Sequence, residues 1–277
     1  MSRWTPIWRD ISPDAEFPNA PPHEIMRAPW HPAAPMTDTQ LPPAEPEEAK
    51  TSGRKHRRIR SFVLRMGRMT SGQQRAMGEL WPRFGIEYSP QPLNLDQVFG
   101  RNAPRLIEIG FGTGEALFAY AQAHPEVDCL GIEVHRPGAG RLLLQVEHAG
   151  LNNVRASCDD AVEVLRHQIA AGSIDAVHIF FPDPWHKARH HKRRLIQTSF
   201  ADILATVLKT GGMLRLATDW QHYAEHMRAV LDAHPQFINI ADATGYVERP
   251  ADRPLTRFER RGHRLGHGVW DMAYRRR

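Results

Sequence analysis

From residue 105 onward the apolar positions follow two alternating rhythms. Short runs are apolar almost throughout, as at Leu106, Ile107 and Ile109, and end in proline, glycine or an acid. Longer stretches between them repeat their apolar positions every three or four residues. The first rhythm predicts strands buried on both faces, and the second predicts the helices that cover them. Strands are expected near 105–110, 127–134, 153–157, 174–181, 212–217, 236–241 and 268–275. Helices are expected near 114–123, 136–149, 160–171, 191–208 and 220–233. The alternation implies an α/β architecture: a mostly parallel seven-stranded sheet with helices on both faces.

Upstream, the rhythm fails. Residues 1–50 hold eleven of the 22 prolines and show no sustained period, so they are expected to form a disordered Pro-rich tail. Trp4, Trp8 and Trp30 stand there either as docking anchors or as scattered residues. Residues 51–100 read as a basic N-terminal extension, and 101–277 as the main domain. Within the extension, 54–68 (RKHRRIRSFVLRMGR) carries seven Lys/Arg and no acid. Ile59, Phe62, Val63 and Met66 recur among them at helix-like spacing. That mixture suits a segment lying across a phosphate backbone, or a plain charged linker. Thr70, Ser71 and Gln74 resemble a capping box opening a helix that ends near Trp81 and Pro82.

Composition narrows the function classes. The chain has 277 residues, 41% hydrophobic and 24% charged, which is ordinary for a globular protein. No apolar run approaches the ~20 residues of a membrane span. The N-terminus lacks a basic-then-apolar leader, so no secretory signal is expected. Two cysteines, Cys129 and Cys158, argue against a disulfide framework or a cysteine zinc site and for a reducing cytoplasm. Net charge is +5, but residues 1–50 carry eight acids against four bases, a balance of −4 that leaves +9 on the rest. A basic body points to a polyanionic partner.

The chemistry gathers where strands end. RLIEIGFGTG (105–114) reads as strand, glycine turn and helix start, with Gly110, Gly112 and Gly114 at alternate positions. Glu133 ends the next strand, where a carboxylate can accept hydrogen bonds from both hydroxyls of a ribose. These residues fit a nicotinamide dinucleotide or S-adenosylmethionine. The spacing is G-x-G-x-G, and Glu115 occupies the place of the third glycine of a dinucleotide fingerprint. Glu108, just before the turn, would repel a pyrophosphate but suits a cationic amino group. Asp159 and Asp160, Asp183, and Thr218 with Asp219 fall at further strand ends, although Asp159 looks like a helix N-cap. The fourth strand runs out as VHIFFPDPWHKARHHKRR, with Asp183 between two prolines, Trp185 beside it and a basic run behind. A carboxylate, an aromatic plane and a basic run together look like a nucleotide site. The histidines in that run are alternative metal ligands, opposed by the neighbouring cations.

At these residues the chain resembles the bacterial tRNA (guanine-N7-)-methyltransferases, which methylate the guanine at position 46 of the tRNA variable loop. The resemblance covers roughly residues 55–275 and rests on IRSFVLRMGR, LIEIGFGTG, CLGIEVHRPG, DDAVEVL, FFPDPWHKARHHKRR, ATDWQHYAEHM and TRFERRGHRLGHGVWDM. It implies a Rossmann-like class I methyltransferase fold. It also implies that Glu108, Glu133, Asp160 and Asp183 contact S-adenosylmethionine. Lys187, Asp219 and the run Thr256, Arg257, Phe258 and Glu259 would contact tRNA. Guanine N7 carries a free lone pair, so the reaction needs alignment rather than a general base or a metal. Asp183 is the leading candidate for stabilising the charge that develops on the purine. No membrane partner is expected, and a monomer is expected rather than a homodimer. Three alternatives stay open. A dehydrogenase would bind NAD. A non-catalytic RNA-binding module would need the basic stretches but not the convergent acids. A methyltransferase acting on an exocyclic amine would show an N/D-P-P-aromatic turn where this chain has P-D-P-W.

Overall fold

The computed structural model describes residues 60–62, 67–255, 259–260 and 268–277. The expectations for the tail 1–50 and its tryptophans, for most of the basic stretch 54–68, and for Thr256 to Phe258 lie outside the described residues.

The sheet grows from its most apolar strand. Along β2 (Arg105–Ile109) side chains alternate in direction. Leu106 joins one apolar cluster with Leu117 of α4 (Glu115–Ala123) and Leu142 and Val146 of α5 (Arg136–His148). Ile107 and Ile109 join the other, formed with α6 (Ala161–His167), α7 (Thr198–Val207) and α8 (Gln221–Asp232). Both faces are thereby buried, as expected of a parallel sheet. The remaining strands are β1 (Gly85–Ile86), β3 (Asp128–Ile132), β4 (Val154–Ser157), β5 (Ile174–Phe180), β6 (Leu208–Thr218), β7 (Phe237–Asn239) and β8 (Trp270–Arg276). Their order is β1-β4-β3-β2-β5-β6-β8-β7. The strands from β1 to β6 pair in parallel, and β8 runs antiparallel to both β6 and β7. The order reverses between β2 and β5, so a crevice opens at their carboxyl ends.

Several local expectations change. The sheet has an eighth strand among the described residues, because Gly85 and Ile86 pair with β4 at its edge. The capping box is closed by Gln73, not Gln74: Thr70 and Gln73 bond reciprocally at the start of α1 (Ser71–Glu79). Asp160, not Asp159, caps α6 by accepting from the Val162 amide. The helix expected over 191–208 is two pieces, a 3₁₀ helix (Ala188–Arg193) and then α7. The basic run has no apolar face to bury and repels itself, so the α-helix starts only where Phe200, Ala201 and Leu204 supply one. Ala76 of α1 and Phe84 of α2 (Trp81–Phe84) enter the same cluster as α4 and α5, so this part of 51–100 is built into the layers of the sheet.

Candidate active site

The crevice beyond β2 and β5 holds a cavity of about 820 Å³. Glu108, Gly110, Gly112, Glu133, Asp160, Asp183 and Lys187 all line it. The backbone after β2 turns through left-handed conformations at Gly110 (φ 73°) and Gly112 (φ 57°), with open space where a Cβ would stand. Bare backbone is thus presented to the cavity. Gly114 has a different role and does not line the cavity. A Cβ there would meet Leu142 at 2.8 Å, so this glycine lets α4 start against α5.

Glu133 follows β3 and is fixed by two amides. Its Oε2 accepts from Gly112 N at 2.9 Å, and its Oε1 from His135 N at 2.9 Å. Burial raises its pKa, opposed by those two bonds. Each oxygen keeps a lone-pair direction for a further donor, which suits a diol. Glu108 differs. It is 3% exposed, and its Oε2 has no hydrogen-bond partner. Burial pushes its pKa up to about 8. His178 faces the register position of Glu108 on β5 but supplies no charge, because burial holds its pKa down to about 3. A buried carboxyl with an unmet acceptor lining a cavity is matched to a cationic donor. Asp159 accepts from Ser157 Oγ at 3.3 Å and also lines the cavity.

Asp183 lines the same cavity from a constrained turn after β5. Phe181 (φ 52°) and Trp185 (φ 45°) bracket Pro182–Asp183–Pro184 in the left-handed region, which bulky residues rarely adopt. The surroundings enforce this geometry. Phe181 N donates to Ala217 O at 2.8 Å, and Arg194 Nε donates to Pro184 O at 2.9 Å. Trp185 Nε1 donates to Ser61 O at 3.1 Å, and the Arg193 guanidinium lies 4.9 Å from the Trp185 ring. The tryptophan therefore fastens the basic segment at Ser61 to the turn.

Not every expected residue converges. Asp219 lies half-buried beyond β6 and does not line the cavity. Glu259 is 1% exposed and bonds with both oxygens to Arg253, at 2.6 and 3.0 Å. Arg253 also donates twice to Asp271 of β8, at 2.9 and 2.8 Å. Its guanidinium lies 5.7 and 5.5 Å from the Phe180 and Phe181 rings. Glu259 is thus tied to the sheet beneath the Asp183 turn. Sequence reasoning missed Arg253, which stands in no spacing that marks it, and read Arg194 only as the end of the basic run. Among the described residues, no group of three or more His, Cys, Asp and Glu could hold a metal ion, and no helix is long and apolar enough to cross a membrane.

A parallel sheet with one antiparallel strand, a glycine turn after β2 and acids at successive strand ends defines a class I S-adenosylmethionine-dependent methyltransferase. The 16S rRNA methyltransferase KamB shares the fold, with a TM-score of 0.50 at 13% identity over 68% of this chain and 95% of its own. A family profile described as "Putative methyltransferase" matches residues 102–272. The tRNA (guanine-N(7)-)-methyltransferase of Shewanella pealeana is 52% identical over 83% of this chain and 97% of its own length. That of Edwardsiella ictaluri is 54% identical over 83% and 96%. The chain belongs to the tRNA (guanine-N(7)-)-methyltransferase family.

Proposed function

We propose that this chain transfers a methyl group from S-adenosylmethionine to N7 of guanine 46 in the variable loop of tRNA, acting as a cytoplasmic monomer. The observation that carries this reading is one cavity lined by an unpartnered buried carboxyl, Glu108, a carboxylate held by two amides, Glu133, and the rigid Asp183 turn.

The residues fit the cofactor. Glu108 would meet an ammonium and Glu133 a ribose diol, and Gly110 and Gly112 leave room for close approach; Asp160, the cap of α6, adds to the acidic lining. S-adenosylmethionine, when bound, supplies a sulfonium methyl open to in-line displacement. The chain must hold guanine N7 on that line, which is catalysis by positioning. N7 attacks with an in-plane lone pair, so no residue has to remove a proton first. Positive charge then develops on the purine, and the fixed Asp183 carboxylate favours the transition state over the ground state. Lys187 lines the same cavity and supplies a cation for the RNA, while Arg253 joins Glu259 to Asp271 of β8. Asp219, outside the cavity, is assigned to RNA beyond the target base. The two unpaired cysteines, Cys129 and Cys158, suit a reducing compartment.

The test is methyl transfer from labelled S-adenosylmethionine to unmodified tRNA transcripts. Guanine 46 should accept one methyl, and transcripts with adenine or 7-deazaguanine at that position should accept none. Transfer that survives 7-deazaguanine would exclude N7 of that base as the acceptor.

A further inference from the structure

Glu115 stands where a dinucleotide fingerprint has its third glycine, and the reaction as derived gives it no part. It is the first residue of α4 and lines the cavity beside Thr113. An acid in the first turn of a helix favours its dipole. The contacts of this one go further. Thr113 Oγ1 donates to Glu115 Oε1 at 3.5 Å. Arg141 of α5 lies 3.9 Å from the same oxygen, and Arg260 lies 3.8 Å from Oε2. Arg260 is remote in the chain and is itself fixed, its Nη1 donating to Leu255 O at 2.8 Å. Its neighbour Glu259 is bound to Arg253, whose guanidinium lies 5.5 Å from the Phe181 ring. Phe181 and Glu115 both line the cavity. Two consecutive residues, Glu259 and Arg260, thus connect the end of β5 with the start of α4, across the point where the strand order reverses. The two connections differ in kind. The Arg253–Glu259 pair is buried, whereas the side chains of Glu115 and Arg260 are 23% and 56% exposed. An exposed pair adds little to stability, so it can be made and broken as neighbouring sites fill.

We propose that Glu115 and Arg260 form a clasp that couples the methyl donor to the tRNA, with Glu115 as the positioning residue. The inference rests on the function reading above and deepens it. A methyl donor on the glycine turn fixes Gly112 and Thr113, and with them the carboxylate that Arg260 meets. The guanosine presented to that methyl enters the same cavity, bounded by residues that the clasp joins. Coupling between two ligands is reciprocal, so tRNA tightens the donor by the factor with which the donor tightens tRNA.

The test uses S-adenosylhomocysteine, which has no methyl to transfer, titrated by calorimetry with and without unmodified tRNA transcript. In the wild type tRNA should tighten it by up to about fivefold, the most an exposed ion pair supplies. Glu115→Gln and Arg260→Gln should each abolish that factor, and the double variant should lose nothing more. Affinity without tRNA should stay native in all three, which also shows that they fold. Arg141→Gln, which removes the other guanidinium on Glu115, should leave the coupling intact. With saturating methyl donor, KM for tRNA should rise by the lost factor in both single variants while kcat holds. A wild type that methylates tRNA but binds S-adenosylhomocysteine equally with and without it would overturn the clasp, as would additive losses in the double variant. Weaker S-adenosylhomocysteine binding without tRNA in Glu115→Gln alone would place Glu115 on the cofactor and refute its pairing role. Failure of the function reading looks different, since the wild type would then transfer no methyl to tRNA at all.

Discussion

Glu108 makes cofactor binding a proton-coupled event. In the free protein burial lifts its pKa from 4.5 to about 8, so at pH 7 only about a tenth is ionised. Ionising it at pH 7 costs about 1.4 kcal/mol, one tenfold step for the one pH unit that separates 7 from 8. At pH 6 the same step costs about 2.7 kcal/mol. An ammonium in the cavity would draw the proton off and pair with the carboxylate. Affinity for S-adenosylmethionine should therefore rise with pH from 6 toward 7 and fall again above 8, where the ligand's own amino group loses its proton. Calorimetry in buffers of different ionisation enthalpy should register proton release at pH 7 and proton uptake at pH 9. Glu108→Gln should remove this release and weaken binding at pH 8 by ~1.5–3 kcal/mol, the scale of a hydrogen bond to a charged group. The sign for the free protein is opposite. A carboxyl whose folded pKa lies above its unfolded value favours the fold at low pH, and that contribution fades as pH rises from about 5 through 8. His178, neutral throughout this range, does not confound the measurement. Equal pH profiles for wild type and Glu108→Gln would refute the pairing of Glu108 with the amino group.

Asp183→Asn should fold and bind tRNA but transfer methyl at least ~100-fold more slowly in single turnover with saturating cofactor, the scale of one preorganised electrostatic group; a near-native rate would leave the turn a structural device. Arg253→Met should lower stability by ~3–5 kcal/mol at pH 8 in denaturant titrations, because Glu259 and Asp271 lose the buried guanidinium they share. The folded pKa of Asp271, which Arg253 holds down against burial, then rises further, so the loss should shrink as pH falls toward 5; a pH-independent loss would point to packing instead. Deleting residues 1–50 should leave turnover on tRNA within a few-fold, and a loss with an intact fold would make that segment part of the active machinery.

What was legible in the chain was whatever a short window contains. Leu106, Ile107 and Ile109 announce a strand buried on both faces, and Glu108, Glu133 and Asp183 declare themselves by standing where strands end. Gly110 and Gly112 serve the turn as their spacing suggests, but the need for Gly114 arises from Leu142, in another helix. Arg253 acquires its role only when Glu259 and Asp271 are folded onto it. Arg194 reads as the last cation of a basic run, whereas the fold buries it on Tyr223, with its Nη2 on His222 Nδ1 at 3.1 Å. The break in the helix expected over 191–208 was foreshadowed by the unbroken charge of that run, a local signal outweighed by the periodicity that follows it. β1 is two residues long, too short to carry a period at all.

The position of β8 carries a consequence for synthesis. It follows β7 in the chain yet lies between β6 and β7 in the sheet, and β7 has no other neighbour there. As the polypeptide leaves the ribosome, β1 to β6 can assemble in parallel with their helices while β6 remains an open edge. β7 emerges with no strand to pair with until Trp270 to Arg276 have followed. A nascent chain stalled before that point would present the unpaired edge of β6 to its neighbours, a template for intermolecular pairing. It would also lack Asp271, and with it one of the two carboxylates that hold Arg253 beneath the Asp183 turn. Translation thus delivers the glycine turn and the acids around it well before the strand that completes the sheet.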